Sequence, residues 1–279
     1  MRQLFPYILL LINALCFSNL TAQDIFDLEH SKQYAAYLLK QKKYLQAAEE
    51  WKTIVKREPS DSNNLALLHT YRIGGLYNEA ETFATKHFSA NPHMQTEAFT
   101  EEFIKVLLQN NRIDNAQSYL AAEELNIDTL KRAKYNFESY LLDKDWLNAR
   151  ELYQENKTLS AHKDISYQTL LQRAENMKSK SPALASVLSA AVPGLGKVYT
   201  KDWKNGAITF LLVGTSALQS YWGFKDKGTR SVYGWVFGGL ALGYYSGNIY
   251  GAYRSAHKYN ERQEEEIVQD AKRIIFSAY

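Results

Sequence analysis

The residues best suited to chemistry lie in one glycine-rich segment, Pro193-Gly194-Leu195-Gly196-Lys197-Val198. Two glycines beside a lysine are typical of loops that bind phosphate, because backbone N–H groups and an ammonium group both donate to phosphate oxygens. A phosphate loop also needs a glycine five residues before the Gly-Lys pair and a Ser or Thr after it, but Ala191 and Val198 occupy those positions. The segment therefore predicts a tight turn with unusual backbone angles rather than a nucleotide site. The predicted turn residues are Pro193, Gly194 and Gly196.

The remaining reactive side chains do not form a pattern typical of catalysis. Ser186 and Ser189 lack the strand-turn-helix context of a nucleophile, and paired glutamates such as Glu101-Glu102 are interpreted as solvated helix faces. The six histidines are scattered, and none has a partner at metal-ligand spacing. They are His30, His69, His87, His93, His162 and His257. We predict a non-enzymatic protein with no cofactor and no metal.

The N-terminus predicts a signal peptide over residues 1–22. Arg2 precedes an apolar run from Leu4 to Phe17, and Ala22 ends a segment of small residues suited to cleavage. The alternative is an N-terminal anchor that is not cleaved. The only cysteine, Cys16, lies inside this segment, so the mature chain would lack disulfides, which fits a bacterial cell envelope. The 33 basic and 30 acidic residues give a net charge of +3, which does not predict nucleic-acid binding.

The first half of the chain contains an internal repeat. Four segments place a small residue three positions after a large one, at offsets of about 33 residues. The segments are Tyr44–Trp51, Tyr77–Ala84, Ile113–Leu120 and Trp146–Tyr153. On this pattern the chain resembles the tetratricopeptide-repeat family over Leu28 to Leu159, and a capping helix extends the predicted domain over residues 28–180. The alternative is an unrelated all-helical bundle.

The tetratricopeptide resemblance implies pairs of antiparallel helices, with a concave groove made mainly by the first helix of each pair. The groove is expected to bind a protein partner, and the alternative is a spacer or a self-association surface. Carrying the family geometry over gives the candidate groove residues. They are Lys32, Leu39, His69, Arg72, Lys105, Leu108, Lys134 and Leu141.

The second half predicts a membrane hairpin over residues 181–260. Two uncharged stretches, 206–224 and 232–253, have about the length of membrane-spanning helices. Gly239, Gly243, Gly247 and Gly251 recur every fourth residue and share one helix face, which favours close helix packing. We expect these glycines and Asn248 to pack the hairpin, with Asn248 bonded to Gln219 or Ser216. The alternative is a buried soluble hairpin.

The combination of the glycine turn, Gly206 and the segment Gly247-Asn248-Ile249-Tyr250-Gly251-Ala252 is similar to a largely uncharacterised family of exported bacterial tetratricopeptide proteins of the Bacteroidetes type. The resemblance implies membrane residence and assigns no catalytic residue. A separate amphipathic helix is predicted over residues 261–279, either docked on the repeats, lying on the membrane, or solvated.

The sequence therefore predicts an all-α protein, a tetratricopeptide-like array followed by a transmembrane helical hairpin. We expect a membrane-anchored scaffold of the bacterial cell envelope, with its repeats in the periplasm. Its expected partners are a protein and membrane lipid, and oligomers through the glycine face are a further expectation. The alternative function is an accessory factor for membrane-protein insertion or transport, acting through the hairpin.

Overall fold

The computed structural model describes residues 27–90, 96–156 and 164–277. The predicted signal peptide and Cys16 lie outside these residues. Within them every regular element is helical, which confirms the all-α prediction. The α-helices are α1 (Leu28–Lys40), α2 (Tyr44–Arg57), α3 (Asp61–Ile73), α4 (Tyr77–Ala90), α5 (Glu97–Gln109), α6 (Ile113–Leu120), α7 (Thr129–Leu142), α8 (Trp146–Glu155), α9 (Asp164–Glu175), α10 (Pro182–Ala191), α11 (Leu195–Tyr199), α12 (Trp203–Lys227) and α13 (Val232–Phe276).

The chain divides into two compact units between Arg132 and Ala133, within α7. The second unit groups most of α7 and all of α8 and α9 with the hairpin helices α10–α13. This division differs from the boundary at residue 180 that the sequence predicted. At the predicted boundary, the Asn260 side chain bonds the backbone of Lys180: its Oδ1 accepts from the Lys180 N–H at 2.7 Å and its Nδ2 donates to the Lys180 carbonyl at 3.0 Å.

The repeat pattern corresponds to four consecutive helix pairs, α1–α2 through α7–α8. The small residue of each second helix is fully buried, as close contact with the preceding helix requires. These residues are Ala47, Ala80, Ala116 and Ala149. The facing positions in the first helices are also buried, although they carry side chains of very different size, Ala35, Leu68, Ile104 and Phe137.

The same helix-ending turn occurs five times within the described residues. Its key residue has a positive φ of 57° to 70°, and the next N–H donates to the carbonyl five residues earlier at 2.8 to 3.0 Å. This is the Schellman arrangement that ends a helix and satisfies its last carbonyls. Four copies separate the helices of the four pairs, and the fifth joins α11 to α12. The positive-φ residues are Lys42, Gly75, Asn111, Lys144 and Lys201.

The hairpin consists of α12 and a continuous helix α13 of 45 residues. The separate C-terminal helix predicted over residues 261–279 is wrong, because no proline interrupts α13 between Val232 and Phe276. The apolar stripe of its last turns is buried, as docking requires, and comprises Ile267, Val268, Ala271 and Ile275. Beside it, Asp270 accepts from Arg173 of α9 at 2.5 Å. The last turns of α13 therefore lie against the capping helix α9.

Across the described ranges, none of the helices combines the length and the apolar character that crossing a bilayer requires.

Candidate functional site

In the first unit, three side chains predicted for the groove meet around a carboxylate between α3 and α5. Glu102 is buried, and its Oε1 accepts from Arg72 Nε at 2.5 Å and lies 2.9 Å from His69 Nδ1. Lys105 approaches the other carboxylate oxygen at 3.6 Å. The structure thus brings together His69, Arg72 and Lys105, and it adds Glu102, which the sequence analysis had placed on a solvated face.

The ionisation of Glu102 follows from these contacts. Burial raises the pKa of a carboxyl group, but here the hydrogen bonds from His69 and Arg72 outweigh burial and lower the pKa of Glu102 from 4.5 to about 2. The group is therefore charged at neutral pH. A buried charge of this kind is stable only while its partners remain, so the cluster holds α3 and α5 at a fixed distance.

A shallow cleft of about 450 Å³ lies over this cluster. Glu102, His69 and Lys105 line part of the cleft, and Leu65, Ala66 and Ala98 form an apolar wall. His69 and Lys105 line the cleft and keep part of their side chains exposed. Side chains of this mixture suit contact with a polypeptide better than with a small anion, because two carboxylates, Glu101 and Glu102, line the cleft.

Several predicted groove residues are not available to a partner. Leu108 and Leu141 are fully buried in the cores of their units, and Arg72 is buried against Glu102. The prediction that these three line an open groove is wrong, because the register of each helix turns them inward. Lys32, which pairs with Glu58 at 3.0 Å, and the half-buried Leu39 remain partly accessible.

The second unit contains a comparable buried carboxylate. Glu138 of α7 is fully buried and accepts a hydrogen bond of 2.9 Å from the Tyr167 hydroxyl of α9. The predicted groove residue Lys134 lies 3.9 Å from the same carboxylate oxygen. Burial, together with the charge of Glu138, raises the pKa of Tyr167 far above its usual range. Tyr167 is therefore a permanent donor that connects α7 with the capping helix.

The glycine turn forms the centre of the hairpin. Gly194 has φ +87°, as the predicted unusual geometry requires, and a Cβ there would collide with the Gly206 carbonyl. Gly196 has no positive φ. It is needed because a Cβ would collide with the Ala185 carbonyl of α10. Its N–H donates to Ser189 Oγ at 3.1 Å, so the loop N–H groups are used within the chain.

Asn248 connects this turn to α13. Its Oδ1 accepts from the Gly194 N–H at 3.0 Å, and its Nδ2 donates to the Ser189 carbonyl at 2.9 Å. The predicted bonds to Gln219 or Ser216 are wrong; Gln219 Oε1 instead accepts from the Tyr233 hydroxyl at 3.0 Å. Because Asn248 is buried and both ends of its amide are bonded, it has a structural rather than a substrate-binding position.

The predicted glycine ladder does not pack the hairpin. A Cβ at Gly239, Gly243 or Gly247 would meet no atom within 4 Å, and one at Gly251 would meet only the Lys197 side chain, 3.3 Å away. These glycines share a face, but that face points away from α12.

Other glycines make the close contact between α12 and α13. A Cβ at Gly223 would approach the Gly234 nitrogen to 2.7 Å, and one at Gly238 would approach Ser220 Oγ to 3.0 Å. Ser220 also donates to the Gly234 carbonyl at 2.9 Å. The two helices therefore meet nearest the connecting loop, with small residues on both sides.

In comparisons with protein-family models, with curated proteins and with solved structures, nothing matched this chain. In the part of the chain that the structure describes, no group of three or more His, Cys, Asp or Glu side chains is placed to hold a metal ion.

We predict that Glu102→Gln destabilises the protein by about 3 kcal/mol at pH 7, since it leaves the buried Arg72 without a charged partner. The pKa of Glu102 is lowered on folding, so its contribution is complete above about pH 5 and is lost as the pH falls from 4.5 towards about 2. The difference from wild type in urea unfolding should accordingly shrink at pH 3. Glu49→Gln, at an exposed pair with Lys52, is the control and should change stability little. Equal midpoints for wild type and Glu102→Gln at pH 7 would contradict the assignment.

We also predict opposite effects for two glycine substitutions. Gly196→Ala forces α10 and α11 apart and should cost about 2 kcal/mol. Gly243→Ala projects into open space and replaces a helical glycine, so it should be neutral or stabilising by up to about 1 kcal/mol. Thermal unfolding followed by circular dichroism measures both. A destabilised Gly243→Ala variant would mean that the ladder is packed after all.

Proposed function

We propose that the protein is a non-enzymatic scaffold of the bacterial cell envelope, in which the hairpin anchors the chain in a membrane and the repeat groove binds a protein partner. The observation that carries the proposal is a belt of large apolar side chains exposed around α12 and α13. Soluble monomers rarely expose contiguous apolar patches of this kind. The belt includes Ile208, Phe210, Leu211, Leu218, Trp222, Val232, Trp235, Val236 and Leu242, each more than half exposed.

The length and charge of the hairpin helices support anchoring. The 25 residues of α12 extend over about 37 Å at 1.5 Å per residue, close to the thickness of a bilayer. Neither of the stretches 206–224 and 232–253 carries a charged side chain. Glycine, tyrosine and hydroxyl residues keep the mean hydropathy of both stretches below that of an ordinary membrane-spanning helix, so anchoring depends on whether the polar groups of these residues are hydrogen-bonded within the hairpin.

Several hydroxyl side chains of the hairpin donate hydrogen bonds to carbonyls of their own helix, which matters because an unbonded polar group is costly in hydrocarbon. Thr209 donates to the Asn205 carbonyl at 2.7 Å and Thr215 to the Leu211 carbonyl at 2.7 Å. Ser246 donates to the Leu242 carbonyl at 3.0 Å. Each of these three hydroxyls therefore donates its proton to a carbonyl one helical turn earlier, which lowers the cost of placing it in hydrocarbon.

The groove supports the partner half of the proposal. The cleft over Glu102 combines an apolar wall with the partly exposed His69 and Lys105, on a base that the ion-pair cluster makes rigid. A rigid surface loses little conformational entropy when it binds. With export directed by the N-terminal segment, the repeats lie in the periplasm.

The anchoring proposal is tested by alkaline carbonate extraction of membranes that carry the tagged full-length chain. Wild type should remain in the pellet. The variant Leu211→Lys/Leu242→Lys, which places charges on side chains that are 61% and 71% exposed, should move to the supernatant. The matched control is Leu45→Lys/Leu147→Lys, at 64% and 75% exposed leucines of the repeats, and it should stay in the pellet. Release of the wild type would refute anchoring.

The partner proposal is tested by photo-crosslinking in cells. A photoreactive residue at Ser62, which lines the cleft, should give one dominant adduct, and Lys105→Glu should abolish it because the cleft then loses a cation. The same residue at the exposed Lys56 of α2 is the control and should give none. Identical adduct patterns at the two positions would exclude the groove as the binding surface.

A further inference from the structure

A basic cleft opens in the second unit where the turn between α11 and α12 faces the middle of α13. It consists of two adjoining depressions of about 540 and 690 Å³, which share Asp202, Asn205, Ser255 and Lys258. Five cationic side chains line the basic cleft. They are Lys197, Lys201, Arg254, Lys258 and Arg262.

The positive charge of the basic cleft is not neutralised by the chain. Three carboxylates also line it, Asp202, Glu261 and Glu266, so the cations are in excess by two. Both oxygens of Asp202 accept from the Asn205 amide at 2.9 Å. Among the described residues, none of the five cations has an ion-pair partner, although other lysines and arginines of the same unit do.

The basic cleft also contains a donor without an acceptor. Gln263 lines the cleft, and its Nε2, which has almost no solvent-exposed surface, makes no hydrogen bond. A buried N–H group without a partner costs about 1 to 3 kcal/mol. An anion in the cleft would compensate the excess cations that line it.

Several groups of the basic cleft are held in position before any ligand arrives. Lys197 Nζ donates to Thr209 Oγ1 at 2.8 Å, and the hydroxyls of Thr200 and Ser255 bond each other at 2.6 Å. Lys201 is the positive-φ residue of the fifth Schellman turn, and its ammonium lies 5.7 Å from the centre of the Tyr259 ring. A site that is ordered in advance binds more tightly, because less side-chain entropy is lost.

We infer that the basic cleft binds the phosphate of an anionic phospholipid headgroup. The position of the cleft selects this source of phosphate over a soluble one. The uncharged stretch of α12 begins at Gly206 and that of α13 ends at Tyr253, so the cations lie where the apolar surface stops. Lysine and arginine at such a boundary interact favourably with anionic lipid. The inference rests on the proposed membrane anchoring, which would place the cleft at headgroup depth.

The test uses the full-length chain purified in a neutral detergent, with lipid binding measured by native mass spectrometry. The probes are dioctanoyl phosphatidylglycerol, dioctanoyl phosphatidylcholine and inorganic phosphate. Phosphatidylglycerol should bind at least about tenfold more tightly than phosphatidylcholine. Arg254→Gln/Lys258→Gln should weaken phosphatidylglycerol binding roughly twenty-five-fold, at about a factor of five for each cation removed near a lipid surface.

The matched control is Lys225→Gln/Lys227→Gln, which removes two exposed cations at the opposite end of the hairpin. It should leave the affinity for phosphatidylglycerol within about twofold of wild type. Equal loss in both double variants would mean unspecific charge attraction and would overturn the site. Equal binding of the two lipids, or binding of inorganic phosphate as tight as that of phosphatidylglycerol, would overturn the lipid assignment.

Carbonate extraction separates this inference from the proposed function. Arg254→Gln/Lys258→Gln should stay in the membrane pellet, because the apolar belt is unchanged. A wild-type chain that is released from the pellet refutes the anchoring itself, whereas a retained chain without lipid preference refutes only the phosphate site.

Discussion

The arrangement of the second unit depends on one buried amide. Asn248 receives the Gly194 N–H and donates to the Ser189 carbonyl, so one side chain of α13 fixes both the end of α10 and the turn that follows it. Without that acceptor the Gly194 N–H would be buried and unbonded, at a cost of about 1 to 3 kcal/mol. The glycines of the turn are needed for the same close packing, because a Cβ at Gly194 or Gly196 would force the backbone of the turn away from its neighbours.

Buried carboxylates have a similar part in the repeat helices. Glu102 connects α3 with α5, the first helices of two neighbouring pairs, and Glu138 connects α7, the first helix of the last pair, with the capping helix α9. Ordinary apolar packing tolerates small rotations of a helix, whereas a charge that must keep its hydrogen bonds does not. The groove surface is consequently rigid at the place where the cleft opens.

The sequence predicted those features that depend on local pattern. Burial of Ala47, Ala80, Ala116 and Ala149 follows from periodicity, because residues four apart share a helix face. Periodicity does not say which face meets the neighbouring helix, and the open ladder at Gly243 shows the consequence. Nor does periodicity reveal partners that are distant in sequence. The sequence around Glu102 is like that of an exposed glutamate, and its partner Arg72 lies thirty residues earlier. Asn248 was identified as important, but its partners depend on the path of the turn.

The continuous helix α13 contributes to three parts of the second unit: the hairpin, the basic cleft and the contact with the capping helix. Its first half forms the hairpin and supplies Asn248, its middle supplies Arg254 and Lys258 to the basic cleft, and its last turns bury Ile267 against the unit core, where Asp270 bonds Arg173 of α9. At 1.5 Å per residue these 45 residues extend over about 67 Å. Sharp kinks in helices arise mainly at proline or where the hydrogen-bond ladder is interrupted, and α13 contains no proline, so the hairpin, the basic cleft and the contact with the capping helix α9 are joined by one continuous helix. In the second unit, α13 thus connects the apolar hairpin directly to the helical-repeat end.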